Sequence, residues 1–193
     1  MIDEKEIKLI PYAVSDFNKF RKKNYYYVDK TRYIREIEKK GDYLFFIRPR
    51  RFGKSLFLAM LESYYDIIKK DQFDFLFKES DIYRNPTKEK NSYMILKLNF
   101  SKVNPEFSMV EHAFLTNVKN TAGSFITKYE KLLNIDIEKA TKTLDSNISA
   151  SEVLDTLFNY CSGKEQKLYV IIDEYDNFAN SILSTVGEKA FED

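Results

Sequence analysis

The chain has a single cysteine, Cys161, in 193 residues, so no disulfide can close within it. That excludes an exported, disulfide-stapled scaffold. Cys161 falls among apolar residues at helical spacing, where a small thiol packs as core. There is one histidine, His112. A lone histidine on a helical stretch reads as a structural or surface residue, not a catalyst. No sign of charge dominates: Lys plus Arg (31) nearly cancels Asp plus Glu (30), and the net charge is +1. A general nucleic-acid or membrane-surface binder carries more than that. The first residues, MIDEKEIK, are charged and lack the apolar core of a signal peptide. No apolar run approaches transmembrane length. A cytoplasmic protein is expected, with no membrane partner. Internal repeats and low-complexity linkers are also absent. What remains is ordinary for a globular chain: 44% hydrophobic and 32% charged residues. The length suits one domain over residues 1–193.

The most informative stretch is Tyr43 to Tyr64, YLFFIRPRRFGKSLFLAMLESY. Tyr43–Ile47 is an apolar run of strand length, too short for a helix. Arg48 to Phe52 is a basic loop opened by Pro49. Gly53-Lys54-Ser55 then starts a segment with Phe57, Met60, Leu61, Tyr64 and Ile68 at helical spacing, predicting a helix to about Lys70. A strand, a loop ending in Gly-Lys-Ser and a helix form the setting of a phosphate-binding loop. Its backbone N–H groups and the helix N-terminus offer positive partial charge to a phosphate. Lys54 would reach the outer phosphates, and the Ser55 hydroxyl would hold Mg²⁺. The usual loop opens with a glycine where Arg48 stands. A basic turn before an ordinary core helix is the competing reading.

A second stretch, Leu168 to Asn177, reads LYVIIDEYDN. Leu168–Ile172 suits a strand buried on both faces. Asp173 and Glu174 follow at its C-terminal end, where ligands bind in open α/β sheets. If this strand and Tyr43–Ile47 are parallel, both carboxylates meet the cleft of Lys54 and Ser55. Asp173 can then hold Mg²⁺ or its water shell, and Glu174 can polarise the attacking water. The plainer alternative is a carboxylate pair solvating a strand end.

RPRRFGKSL (Arg48–Leu56) followed by VIIDEYD (Val170–Asp176) resembles the bacterial and archaeal AAA-ATPase-like family, a divergent branch of P-loop ATPases. The upstream YYYVDKTRYIREI (Tyr25–Ile37) resembles that family's opening motif, and the likeness runs from about Asp16 to about Asn180. The resemblance implies an arginine-rich phosphate loop in which Arg48 replaces glycine by habit. Arg48, Pro49, Arg50, Arg51, Phe52, Gly53, Lys54, Ser55 and Leu56 would then bind ATP. Ser55 and Asp173 would hold Mg²⁺, and Glu174 and Lys54 would serve catalysis. Tyr27 and Val28 would lie near the base. One departure is visible: Asn177-Phe178 stands where the family continues with Lys-Pro.

The remaining pattern fills in an alternation. Asp16–Phe20 predicts a short helix capped by Ser15, and Asp29 or Thr31 would cap another running to Lys40 and ending at Gly41. Phe73, Phe75, Leu76 and Phe77 suggest a short aromatic helix that docks on the core. Tyr93–Phe100 is a clear strand. Ser108–Leu133 is helical, with a break near Ala122-Gly123-Ser124. Ser149 or Ser151 caps a helix that ends at Gly163. The order predicts an α/β fold, a P-loop NTPase with a mostly parallel sheet flanked by helices. P-loop ATPases of this kind continue with a sensor strand that inserts into the sheet, and relatives often carry a C-terminal nuclease-like domain of the PD-(D/E)XK type. By that comparison the sheet is incomplete at its C-terminal end, and a further domain or chain would complete it. The leading expectation is Mg²⁺-dependent ATP binding and hydrolysis. The alternative is a nucleotide- or partner-binding fragment without turnover. Nucleic-acid binding through the arginine loop is the weakest reading.

Overall fold

The computed structural model describes residues 8–12, 14–47, 49, 52–101 and 110–176. They fall in two compact units, Met1–Tyr93 and Met94–Asp193.

The first unit is built from short helices around an aromatic centre. Helix α1 (Phe17–Lys22) is capped by Asp16, whose carboxylate accepts from the Lys19 N–H at 3.0 Å. The cap therefore sits one residue beyond the expected Ser15. Helix α2 (Tyr33–Glu38) is shorter than its pattern and precedes Gly41 at φ 100°. Helix α3 (Lys54–Tyr65) buries Phe57, Met60, Leu61 and Tyr64, the residues whose spacing marked it. It stops before the expected Lys70 because Asp66 turns extended (ψ 118°) and caps a 3₁₀ helix, Ile67–Gln72, by accepting from the Ile68 N–H. Helix α4 (Phe73–Phe77) docks its apolar side as expected, with Phe73, Leu76 and Phe77 buried. Phe17, Tyr64 and Phe73 all pack against Phe77, with ring centroids 5.2 to 5.5 Å apart. Burying each such ring contributes on the order of 2 kcal/mol.

Helix α5 (Asp81–Arg84) is too short to hold itself together, and its N-cap Ser80 gives it no side-chain bond. The caps come from far upstream. Asp29 Oδ2 accepts from the Asp81 N–H at 2.7 Å, and Thr31 Oγ1 accepts from the Ile82 N–H at 3.1 Å. Asp29 Oδ1 also accepts from the Thr31 N–H at 2.9 Å. The sequence assigned Asp29 or Thr31 to the next helix, α2. The structure gives α2 no side-chain cap and turns both residues onto α5 instead.

The expected strand Tyr43–Ile47 is not one. The segment forms no ladder among the described residues, and Tyr43, Phe45 and Ile47 are mostly exposed. A parallel strand is stabilised only by neighbours that pair its backbone and cover its faces, and β propensity cannot replace them. Within the segment, Phe46 stacks on Phe57 of α3 at 5.1 Å.

In the second unit, strand β1 (Tyr93–Asn99) pairs in parallel with β2 (Lys167–Asp173), the two strands of the sheet among the described residues. The Phe100 N–H donates to the Asp173 carbonyl at 3.2 Å, which aligns the two C-terminal ends. The Ile95 N–H donates to the buried Tyr129 hydroxyl at 2.8 Å, so a side chain takes a bond that a further strand would make. β1 buries Met94, Ile95, Leu96 and Leu98. β2 was expected to be buried on both faces, yet Val170 and Ile172 are 43% and 49% exposed while Ile171 is 3%. The resulting alternation is that of a strand covered on one side.

Helices flank this sheet, making the fold α/β. Helix α6 (Val110–Lys128) runs unbroken through Gly123. Burial of Ala122, Phe125 and Ile126 outweighs the cost of about 1 kcal/mol for glycine in a helix. The interruption falls at Tyr129 (φ −110°), after which α7 (Glu130–Leu133) ends at left-handed Asn134. Helix α8 (Ile137–Ser146), over which the sequence placed no element, is capped by Asp136 accepting from the Lys139 N–H. Helix α9 (Ala150–Cys161) is capped by Ser149, with Glu152 reaching back to the Ile148 N–H at 2.8 Å. Among the described residues no helix is long and apolar enough to cross a membrane.

Candidate functional site

The predicted site residues form two groups, one in each unit. In the first, Pro49 and Phe52 make a turn, the Phe52 N–H donating to the Pro49 carbonyl at 3.4 Å. Gly53 follows in the left-handed region (φ 77°, ψ 26°) as the N-cap of α3. A side chain there would be strained, which is the physical reason for glycine. Lys54, Ser55 and Leu56 form the first turn of α3, all half-buried. That turn has no side-chain cap and no acidic residue. Its N–H groups have no carbonyl four residues back within the helix, so the turn is a concentrated positive partial charge. Arg48, Arg50 and Arg51 lie outside the described residues.

A residue absent from the expected set also reaches this loop. A methyl group in place of the Gly53 hydrogen would lie 3.9 Å from Lys30 Nζ. Lys30 sits between Asp29 and Thr31, the two residues whose side chains cap α5. The signal in the sequence was a cation flanked by two capping residue types in Val28-Asp29-Lys30-Thr31. Beside it opens a cleft of about 570 Å³ lined by Arg21, Tyr26, Tyr27 and Asp29, among others. Burial, and after it the Asp29 carboxylate, pushes the Tyr27 phenol up to about 12, so it stays a neutral donor. Val28 is 62% exposed and does not line the cleft.

The second group ends β2. Asp173 is 2% exposed, and its Oδ1 accepts from the Glu174 N–H at 3.0 Å. Glu174 is half-buried with φ 59°. A non-glycine residue is uncommon in that region and costs about 1–2 kcal/mol there. The Ser55 hydroxyl in the first unit and the Asp173 carboxylate in the second are each hard oxygen donors, the chemistry Mg²⁺ takes. Among the described residues there is no cluster of three or more His, Cys, Asp or Glu that would hold a metal.

The first unit thus offers a left-handed glycine before a lysine-led helix, and the second a buried aspartate ending a parallel strand. The family described as Predicted AAA-ATPase matches residues 11–192, and the chain belongs to that AAA-ATPase-like family. The chain is also similar to a protein of Azotobacter chroococcum mcd 1 described as "Uncharacterized protein in vnfD 5'region". The two are 47% identical over 55 residues, which is 28% of this chain and 11% of that protein. The matched part is thus a small share of the relative's length. No solved structure matches the chain.

Proposed function

We propose that this chain is a P-loop NTPase that binds Mg-ATP through Arg48–Leu56 and hydrolyses it. The observation that carries the reading is the start of α3. Left-handed Gly53 delivers Lys54 and Ser55 to the first turn of a helix of 12 residues that has no acidic residue and no side-chain cap there. The loop's N–H groups would cradle the phosphates, Lys54 would neutralise the outer ones, and the three loop arginines would add charge. Ser55 and Asp173 would hold Mg²⁺, which draws charge from the phosphate oxygens when bound. Glu174 would orient and deprotonate the attacking water. The cleft at Tyr26 and Tyr27 would take the base, since Asp29 lines that cleft and its neighbour Lys30 reaches the loop.

A second reading, nucleotide or partner binding without turnover, is favoured by the exposure of Val170 and Ile172 on β2. A further domain or chain packed on that face would bury it, and one that pairs with a sheet edge would complete the sheet. Nucleic acid has no comparable support at a net charge of +1.

Two variants separate the readings. Calorimetric titration with Mg-ATP should show binding by the native chain and its loss in Lys54→Ala; unchanged affinity refutes the phosphate loop. Glu174→Gln should keep binding and lose single-turnover hydrolysis, because removing a base raises the barrier without touching the bound ground state. Equal hydrolysis rates in the two would remove Glu174 from that role. A native chain that binds but never turns over would select the second reading.

A further inference from the structure

We infer that Lys30 is a second phosphate-binding cation, supplied to the loop from a different segment of the chain. The inference rests on the phosphate-loop reading and adds a residue to it. Its ammonium lies 3.9 Å from the position a Gly53 Cβ would take, beside the backbone that opens α3. That end of α3 is already positive, and Lys54 adds a further charge in the same turn. A second ammonium at such a place is electrostatically unfavourable in isolation and favourable once a polyanion lies between them. Among the described residues Lys30 makes no ion pair with a carboxylate.

Its position is also fixed from both sides. The Asp29 carboxylate and the Thr31 hydroxyl are bonded to the Asp81 and Ile82 N–H groups, and the Lys30 carbonyl accepts from the Tyr33 N–H at 3.1 Å. Thr31 is fully buried. A freely solvated lysine needs no such anchoring of its backbone. With the backbone pinned, only the side chain's own torsions are lost on binding an anion, and the contact is stronger for it. Lysine suits the role as a compact charge on a flexible stem, free of the planar fork that would demand one phosphate geometry.

The test uses the full chain and two probes, Mg-ATP and inorganic tripolyphosphate, titrated calorimetrically into the native protein, Lys30→Gln, Lys30→Arg and Lys54→Ala. Lys30→Gln should weaken both probes about tenfold, the size of one charge-assisted contact to phosphate. Lys30→Arg should restore most of the affinity. Losing tripolyphosphate as well as ATP places the contact at the phosphates and not at the base. Thermal unfolding of the ligand-free Lys30 variants should match that of the native protein, since among the described residues Lys30 makes no ion pair to lose. Native affinity for both probes in Lys30→Gln, with binding lost in Lys54→Ala, overturns this inference and leaves the phosphate loop standing. Native affinity in Lys54→Ala, or no binding by the native chain, overturns both.

Discussion

Replacing Thr31 by valine isolates the clamp that joins Val28–Arg32 to helix α5. Valine keeps the volume and removes one oxygen. The Ile82 N–H, which donates to Thr31 Oγ1 at 3.1 Å, then has no acceptor in a place where Thr31 and Ile82 are both fully buried. An orphaned buried donor costs about 1–3 kcal/mol. The added methyl group recovers part of that, leaving a net loss of about 1–2 kcal/mol. The N-cap Ser80, whose hydroxyl donates to the Phe77 carbonyl at 2.6 Å, makes no side-chain bond to α5 that would share the load. In urea the midpoint should fall by about 0.5–1 M, taking a slope of about 2 kcal/mol per molar. Amide hydrogen exchange supplies the local readout: the Ile82 N–H should lose protection, while the Ile95 N–H, bonded to Tyr129, should lose only what global destabilisation removes. If Lys30 acts as inferred, Mg-ATP affinity should drop too, since the backbone carrying it is loosened. A native urea midpoint with native protection at Ile82 would refute the clamp and the anchoring argument built on it.

Phe46→Ala should cost about 2 kcal/mol in urea unfolding, because the ring stacked on Phe57 at 5.1 Å ties the segment leading into the loop to α3; a change under about 0.5 kcal/mol would mean the stack contributes little. Gly53→Ala should destabilise by about 1–2 kcal/mol through its positive φ and weaken Mg-ATP binding; a fully stable variant would show that the loop relaxes to a right-handed conformation. Burial pushes the Cys161 thiol from 9.0 to about 11. At pH 8 the thiolate fraction, and with it the rate of maleimide labelling, should be about a hundredfold below that of an ordinary cysteine. The folded state holds that proton more tightly than the unfolded chain does, so stability should decline as pH rises from about 9 through about 11. Labelling at the rate of the urea-unfolded chain would contradict the burial.

Local patterning carried a good part of this protein. The apolar spacing of Phe57, Met60, Leu61 and Tyr64 marked α3, the β-rich runs marked β1 and β2, and Gly-Lys-Ser and Asp-Glu marked the residues around which a nucleotide site would form. These are properties of a few neighbouring residues: period, propensity, and the glycine that a positive φ requires. Family membership is legible for the same reason, since short motifs at fixed spacing survive in the sequence.

Other features depended on partners far along the chain. Tyr43–Ile47 has strand composition but no ladder, because pairing belongs to two segments and not to one. Asp29 and Thr31 are good caps by residue type, and only the fold decided that they cap α5, about fifty residues away, in place of α2. β2 reads as buried on both faces, and one face is exposed because burial is set by what packs against a strand. Lys30 is the plainest case. Its neighbours Asp29 and Thr31 mark it as a cation between two capping residue types, but not as one that reaches Gly53. Its place beside Gly53, like the clamp of its neighbours onto α5, is a long-range contact that sequence periodicity cannot encode.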